Sequence, residues 1–259
     1  MSRLLSIRNG KHQIINQYRS YTQPSITSTR TRIGIGASKL AQETTDGVYA
    51  SVIATSLQNS ITTFEAGLGG EEKLRRAYMD AIMYLDDAEK QKEGSGSGNG
   101  SNDVDQKEVI LTGRFGYRTT TNANANEYPN DVFVENSKPQ DEDSPPSTVQ
   151  HNVSKEYVAS VLNQCPLVEV YKQRQSKGTK LVYMAHNPEA QGRELHEKGA
   201  PLEEVRGLIQ ERLTDSFVGL ETAVAEEQID SYGVCRYVHV RTRFLNVYPL
   251  FQHKFHRFV

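Results

Sequence analysis

Short β-branched or apolar runs alternate along this chain with longer segments of helical period. Ile33-Gly34-Ile35-Gly36 reads as a first short strand, and Val48, Val52, Ile53 and Leu57 recur at the spacing of one helix face. Ile61 to Glu65 is a second strand. Glu71 to Leu85 reads as a helix: its acidic start suits the macrodipole, and Leu74, Ala77, Tyr78, Ala81 and Leu85 form its apolar stripe. Val109 to Thr112 is a third strand. Ser154 to Leu162 is a helix with Ser154 as N-cap and Glu156 in its first turn. Leu181 to Ala185 is a fourth strand. Pro201 to Gln228 carries Val205, Leu208, Ile209, Leu213, Phe217, Leu220 and Val224 close to helical period, and Tyr232-Gly233-Val234 begins a fifth strand. This alternation predicts an α/β chain with a parallel sheet, and no turn-linked strand pair reads as a hairpin.

Two stretches break the pattern. Residues 94–103 are a Gly/Ser/Asn tract, part of a flexible insertion at about 90–106, and residues 119–150 are polar and rich in Pro and Asn. The second stretch predicts a long surface insertion. The ends differ from the middle. No Asp or Glu precedes Glu43, and residues 1–30 hold Arg3, Arg8, Lys11, Arg19 and Arg30 among Ser and Thr, the composition of an organelle transit peptide. Arg19-Ser20-Tyr21-Thr22 reads as a mitochondrial processing site cleaved after Tyr21, so the mitochondrion is the expected destination, with the plastid as the alternative. After Asp230 no acidic residue occurs, and residues 235–259 interleave Arg and His with Tyr and Phe. The preferred reading is that this tail is foreign to the fold, as a misread exon or frameshift would make it. Single-stranded nucleic acid binding and an amphipathic surface anchor are the other two readings.

Composition narrows the function classes. A chain of 259 residues has room for one large domain or two small ones, and a net charge of −2 excludes the chain as a whole as a polyanion binder. Cys165 and Cys235 build no disulfide framework and no metal-ligand spacing is present, so no metal is expected. No apolar run approaches the roughly 20 residues that span a bilayer. Gly34-Ile35-Gly36 lacks the third glycine of a dinucleotide fingerprint, because position 39 is Lys39. The best candidate chemistry stands where Leu181 to Ala185 runs into His186-Asn187-Pro188-Glu189. In parallel α/β proteins function gathers at the carboxyl ends of strands. A histidine there can donate a hydrogen bond to a substrate oxygen at neutral pH. The plainer alternative is a strand-exit histidine that bonds a neighbouring carbonyl.

Taken in order, these segments resemble the aldo-keto reductase superfamily from Arg32 to Val234, insertions excluded. The likeness rests on the opening strand Ile33–Gly36, on Phe64-Glu65-Ala66-Gly67-Leu68-Gly69-Gly70-Glu71-Glu72, on Val109 to Gly116, on Tyr183 to Glu189, and on Glu226 to Val234. The resemblance implies a (β/α)8 TIM-type barrel, here truncated to about five βα units. It also implies NADPH as cofactor and reduction of a small carbonyl, or oxidation of an alcohol or sugar. Carried over residue by residue, His186 matches the carbonyl-orienting histidine and Glu65 stands at the aspartate position. Arg114 stands near the lysine position, with Gly113 as the alternative alignment, and Asn187 is the expected cofactor contact. The tyrosine acid falls on Leu68, Gly69 or Gly70, none of them a phenol, and neither Tyr117 nor Tyr78 occupies the matching position. Cys235-Arg236 stands where the family places a Ser-Asn pair.

Two functions therefore stay open. One is an NADP-dependent oxidoreductase. The other is a catalytically dead barrel that serves as a binding or interaction protein. A partial barrel also leaves two sheet edges unpaired, which invites self-association. Nucleic acid is expected to matter, if at all, only through the tail.

Overall fold

The computed structural model describes residues 34–36, 45–93, 108–121, 127–136 and 147–235. The chain divides after Thr31, and the unit before that point lies outside the described residues. So do the Gly/Ser tract and the tail beyond Cys235. In chain order the elements are β1 (Gly34–Gly36), α1 (Asp46–Gln58), β2 (Thr63–Glu65), α2 (Glu71–Glu93), β3 (Val109–Phe115), β4 (Tyr117–Thr121), β5 (Val132–Asn136), β6 (Ser147–His151), α3 (Lys155–Gln164), α4 (Pro166–Arg174), β7 (Thr179–His186), α5 (Arg193–Glu197), α6 (Leu202–Ala225) and β8 (Ser231–Cys235).

The expected α/β class holds. Five strands form one parallel sheet in the order β1-β2-β3-β7-β8, so each lies beside the parallel strand before it and the order never reverses. Register separates the two faces. Phe64, Leu111 and Leu181 are opposite one another, and with Phe115, Tyr183 and Tyr232 they alternate onto one side. There they meet Leu74, Leu167 and Leu220 of the helices in a single core. Glu65, Arg114, His186 and Cys235 alternate onto the opposite face, near the carboxyl ends of four neighbouring strands.

The helices follow their apolar stripes with two differences. On α2, Leu74, Ala77, Tyr78 and Ala81 are buried as expected, and the Tyr78 hydroxyl bonds Thr179 Oγ1 at 3.0 Å. The Ser154 hydroxyl caps α3 by accepting from the Tyr157 amide. On α1, however, the inward face is Tyr49, Ile53, Ala54 and Ser56, while Val48 is 52 % exposed. The i, i+4 step from Tyr49 to Ile53 sets that face, and the ring of Tyr49 outweighs the smaller valine. Helix α4 lies in a stretch with no sequence expectation. Pro166 ends α3 and, as the first residue of the next helix, also starts α4.

Residues 119–150 differ most from expectation. Their described part is a three-stranded antiparallel sheet in the order β4-β6-β5. Apolar alternation does not mark it, because polar cross-strand pairs hold it together. Thr120 faces Thr148 with hydroxyls 3.0 Å apart, and Arg118 faces Gln150 and donates to its side-chain oxygen at 2.9 Å.

One glycine fixes the seam between β3 and β7. A Cβ on Gly113 would stand 2.3 Å from the ring of Tyr183, which lies across it and stacks on Phe115 with ring centres 5.7 Å apart. Gly113→Ala is therefore expected to cost about 1–3 kcal/mol by forcing that ring off its rotamer. Urea unfolding checks this: the midpoint falls while the slope stays unchanged. Among the described residues no helix is long and apolar enough to cross a membrane.

Candidate functional site

Strand register brings three of the expected site residues together. Arg114 Nε stands 2.8 Å from Glu65 Oε1, with both side chains about four-fifths buried. The same carboxylate oxygen accepts from the Gly67 amide at 2.9 Å, so the β2 end is tied to its own loop. Behind this pair, burial raises the Glu71 carboxyl above its ordinary value, although the backbone N–H groups of Glu71 and Arg114 donate to it.

His186 ends β7 on the same face. Burial and the Arg114 guanidinium both lower its pKa, so the imidazole is neutral at neutral pH. Its Nδ1 is buried and meets no hydrogen-bond partner among the described residues. An unpaired buried polar atom costs about 1–3 kcal/mol, so this nitrogen is a place where a hydrogen-bonding group would be stabilised. Cys235 sits directly across from His186. Burial raises its thiol despite Arg114 nearby, which keeps it protonated and a poor nucleophile.

Asn187 leaves the strand in the left-handed region, at φ 48°. Its amide donates to the Cys235 carbonyl at 2.8 Å and its side chain donates to the Tyr117 hydroxyl at 3.4 Å. The Tyr117 ring stands edge-on to His186 at 5.6 Å and to His151 at 4.7 Å. Burial raises the phenol's pKa, so it keeps its proton at neutral pH. Tyr78, by contrast, bonds Thr179 at the amino end of β7 and is remote from this group. The loop Leu68-Gly69-Gly70 carries no phenol, and the tyrosine ring beside His186, that of Tyr117, comes from β4.

Three further residues were not expected. His151 Nε2 lies 2.8 Å from the His186 carbonyl, and Gln191 Nε2 lies 2.7 Å from His151 Nδ1. Arg212 donates to Gln191 Oε1 at 2.6 Å. These contacts join β6, the turn after β7 and α6, and no local sequence pattern announces them.

A cavity of about 220 Å³ adjoins the site, walled by Leu68, Glu71, Arg114, Tyr117, Tyr157 and Tyr183. A larger hollow of about 510 Å³ lies between α3 and α6, beside Lys155, Arg212 and Asp215. The smaller one reaches Arg114 and Tyr117 from the helix-covered side of the sheet, and Glu65, His186 and Asn187 do not line it. No family model, curated protein or solved structure matches the chain.

Proposed function

We propose that the five parallel strands follow the plan of a (β/α)8 barrel, and that the chain is an NADPH-dependent oxidoreductase of the aldo-keto reductase kind. It would reduce a small carbonyl, or in reverse oxidise an alcohol or sugar. The strand order without a reversal supports the barrel plan, since doubly wound sheets turn back at a switch point. One observation carries the function: neutral His186, the Arg114–Glu65 pair and protonated Tyr117 converge at adjacent strand ends.

The chemistry follows from these residue types. A neutral imidazole donates one hydrogen bond to the carbonyl oxygen and orients it. The oxygen gains negative charge as the carbonyl is reduced, so an acid within reach is needed, and Tyr117 is the acid at hand. Burial, with the Arg114 guanidinium second, keeps His186 unprotonated, and the Arg114–Glu65 pair is held in place beside it. The residues present fit the reacting end of the cofactor. The carboxamide of Asn187 would pair with the nicotinamide's own, and among the described residues nothing stands within 4 Å of where a Cβ on Gly233 would be. When bound, the nicotinamide would supply the hydride. In barrels of this class the phosphates are held after later strands, beyond β8.

The missing phenol in Leu68-Gly69-Gly70 favours a second reading, a non-catalytic binding protein. One assay separates the two. The mature chain is mixed with NADPH and a panel of small aldehydes and ketones. Carbonyl-dependent NADPH consumption is the expected result. Cofactor binding without turnover supports the second reading, and no binding at millimolar NADPH overturns the first. Delivery to the mitochondrion by residues 1–30 belongs to the same proposal.

A further inference from the structure

We infer that His151 is a positioning residue for His186, with one hydrogen bond from the antiparallel sheet fixing where β7 ends and where the imidazole stands. The bond is His151 Nε2 to the His186 carbonyl at 2.8 Å. A carbonyl only accepts, so Nε2 must carry the proton. The other nitrogen is set from behind. Gln191 Nε2 donates to His151 Nδ1 at 2.7 Å and to the His151 carbonyl at 2.8 Å. The amide cannot turn over, because Arg212 Nη1 donates to Gln191 Oε1 at 2.6 Å and a guanidinium has no acceptor. Arg212, Gln191 and His151 thus form a one-way chain of donors ending on the His186 backbone.

Two more features serve the same bond. His151 is fully buried, and burial lowers its pKa to about 4, so it stays neutral and keeps one tautomer. Gly116, at φ 133°, leaves the space the bond occupies. A Cβ there would stand 2.8 Å from His151 Nε2 and 2.9 Å from the His186 carbonyl oxygen. The residue after the bonded carbonyl is Asn187, whose left-handed turn is held on its other side by the Cys235 carbonyl. The end of β7 is therefore clamped from both flanks.

This role rests on reading His186 as the group that meets the substrate, so the first readout is independent of turnover. Imidazole 15N spectra of the full chain are recorded against pH. The wild type is expected to show His151 as the Nε2–H tautomer, without titration in the neutral range; an Nδ1–H tautomer overturns the inference without any variant. His151→Phe removes the donor, and its His186 titration is expected to move up toward the ordinary value as the ring loosens. His151→Gln, which keeps a donor near the same place, restores the wild-type midpoint. If His151→Phe does not fold, Gln191→Leu serves, with a mixture of His151 tautomers expected. Unchanged His186 spectra in folded His151→Phe, or a single Nε2–H tautomer of His151 in Gln191→Leu, overturn the inference. In the turnover assay, His151→Phe is expected to lower kcat about 10²-fold, the scale of a small misplacement, with rescue in His151→Gln. Equal kcat in both variants overturns positioning while leaving the reductase reading in place. The expected spectra without any turnover leave the placement standing and remove only the reductase reading.

Discussion

Asp131→Ala is expected to lower the stability of the chain by about 3–5 kcal/mol, the cost of breaking a buried ion pair on one side. The Asp131 side chain is 1 % exposed and pairs with Arg118, itself 12 % exposed. Its Oδ1 accepts from Asn152 Nδ2 at 2.8 Å, while the Tyr128 amide donates at 3.1 Å to Oδ2, the oxygen that also faces Arg118. Without the carboxylate, Arg118 keeps Glu127 at 2.9 Å, Gln150 at 2.9 Å and the Tyr128 ring below it. Glu127 is half exposed and a weak substitute. Asn152 keeps the Pro129 carbonyl, and its own oxygen still holds the Ser154 amide. The damage therefore runs from β4 through β6 to the cap of α3.

Replacing both partners, as in Arg118→Met with Asp131→Leu, is expected to cost less than Asp131→Ala alone, since no charge is left buried. Urea unfolding of the three proteins decides the matter. A loss below about 1 kcal/mol for Asp131→Ala would show that water reaches the arginine and that the antiparallel sheet is looser than its packing implies.

That sheet marks the limit of what could be read from the residues. Elements built on apolar periodicity were legible: the stripe on α2, the capped start of α3, and β7 with its abrupt polar end. A parallel sheet followed from their alternation. The inward face of α1 departs from the valine-based pattern because the Tyr49 ring turns inward with Ile53. The antiparallel sheet was illegible for a different reason. A threonine pair, an Arg–Gln pair and a buried aspartate hold it together, and in a sequence these look like a solvated loop. The site divides along the same line. Glu65, Arg114 and His186 sit at strand ends, so the strand pattern alone puts them in one neighbourhood. Tyr117 reaches Asn187 across 70 residues, and His151 reaches His186 across 35. Contacts of that span depend on the path of the insert.

Tyr117→Phe is expected to lower kcat for carbonyl reduction by about 10²–10⁴-fold, the range for a lost general acid, with little change in KM. His186→Ala is expected to lower it by about 10²–10³-fold, as for one lost oxyanion donor. Because both groups act on the same oxygen, the double variant should lose less than the product of the two factors. The pH profile gives an independent check. His186 must be neutral to donate a hydrogen bond without a net charge, and its pKa is lowered from 6.5. Activity should therefore persist below pH 6.5 and fall only as pH drops through the lowered value. Tyr117 must hold its proton, and its pKa is raised from 10.0, so reduction should persist to pH 10 and fall only above it. A reducing activity with a limb near pH 8 would point to an acid other than this tyrosine. Tyr117→Phe with wild-type kcat would remove it from the chemistry and leave its contact with His186 a matter of packing alone.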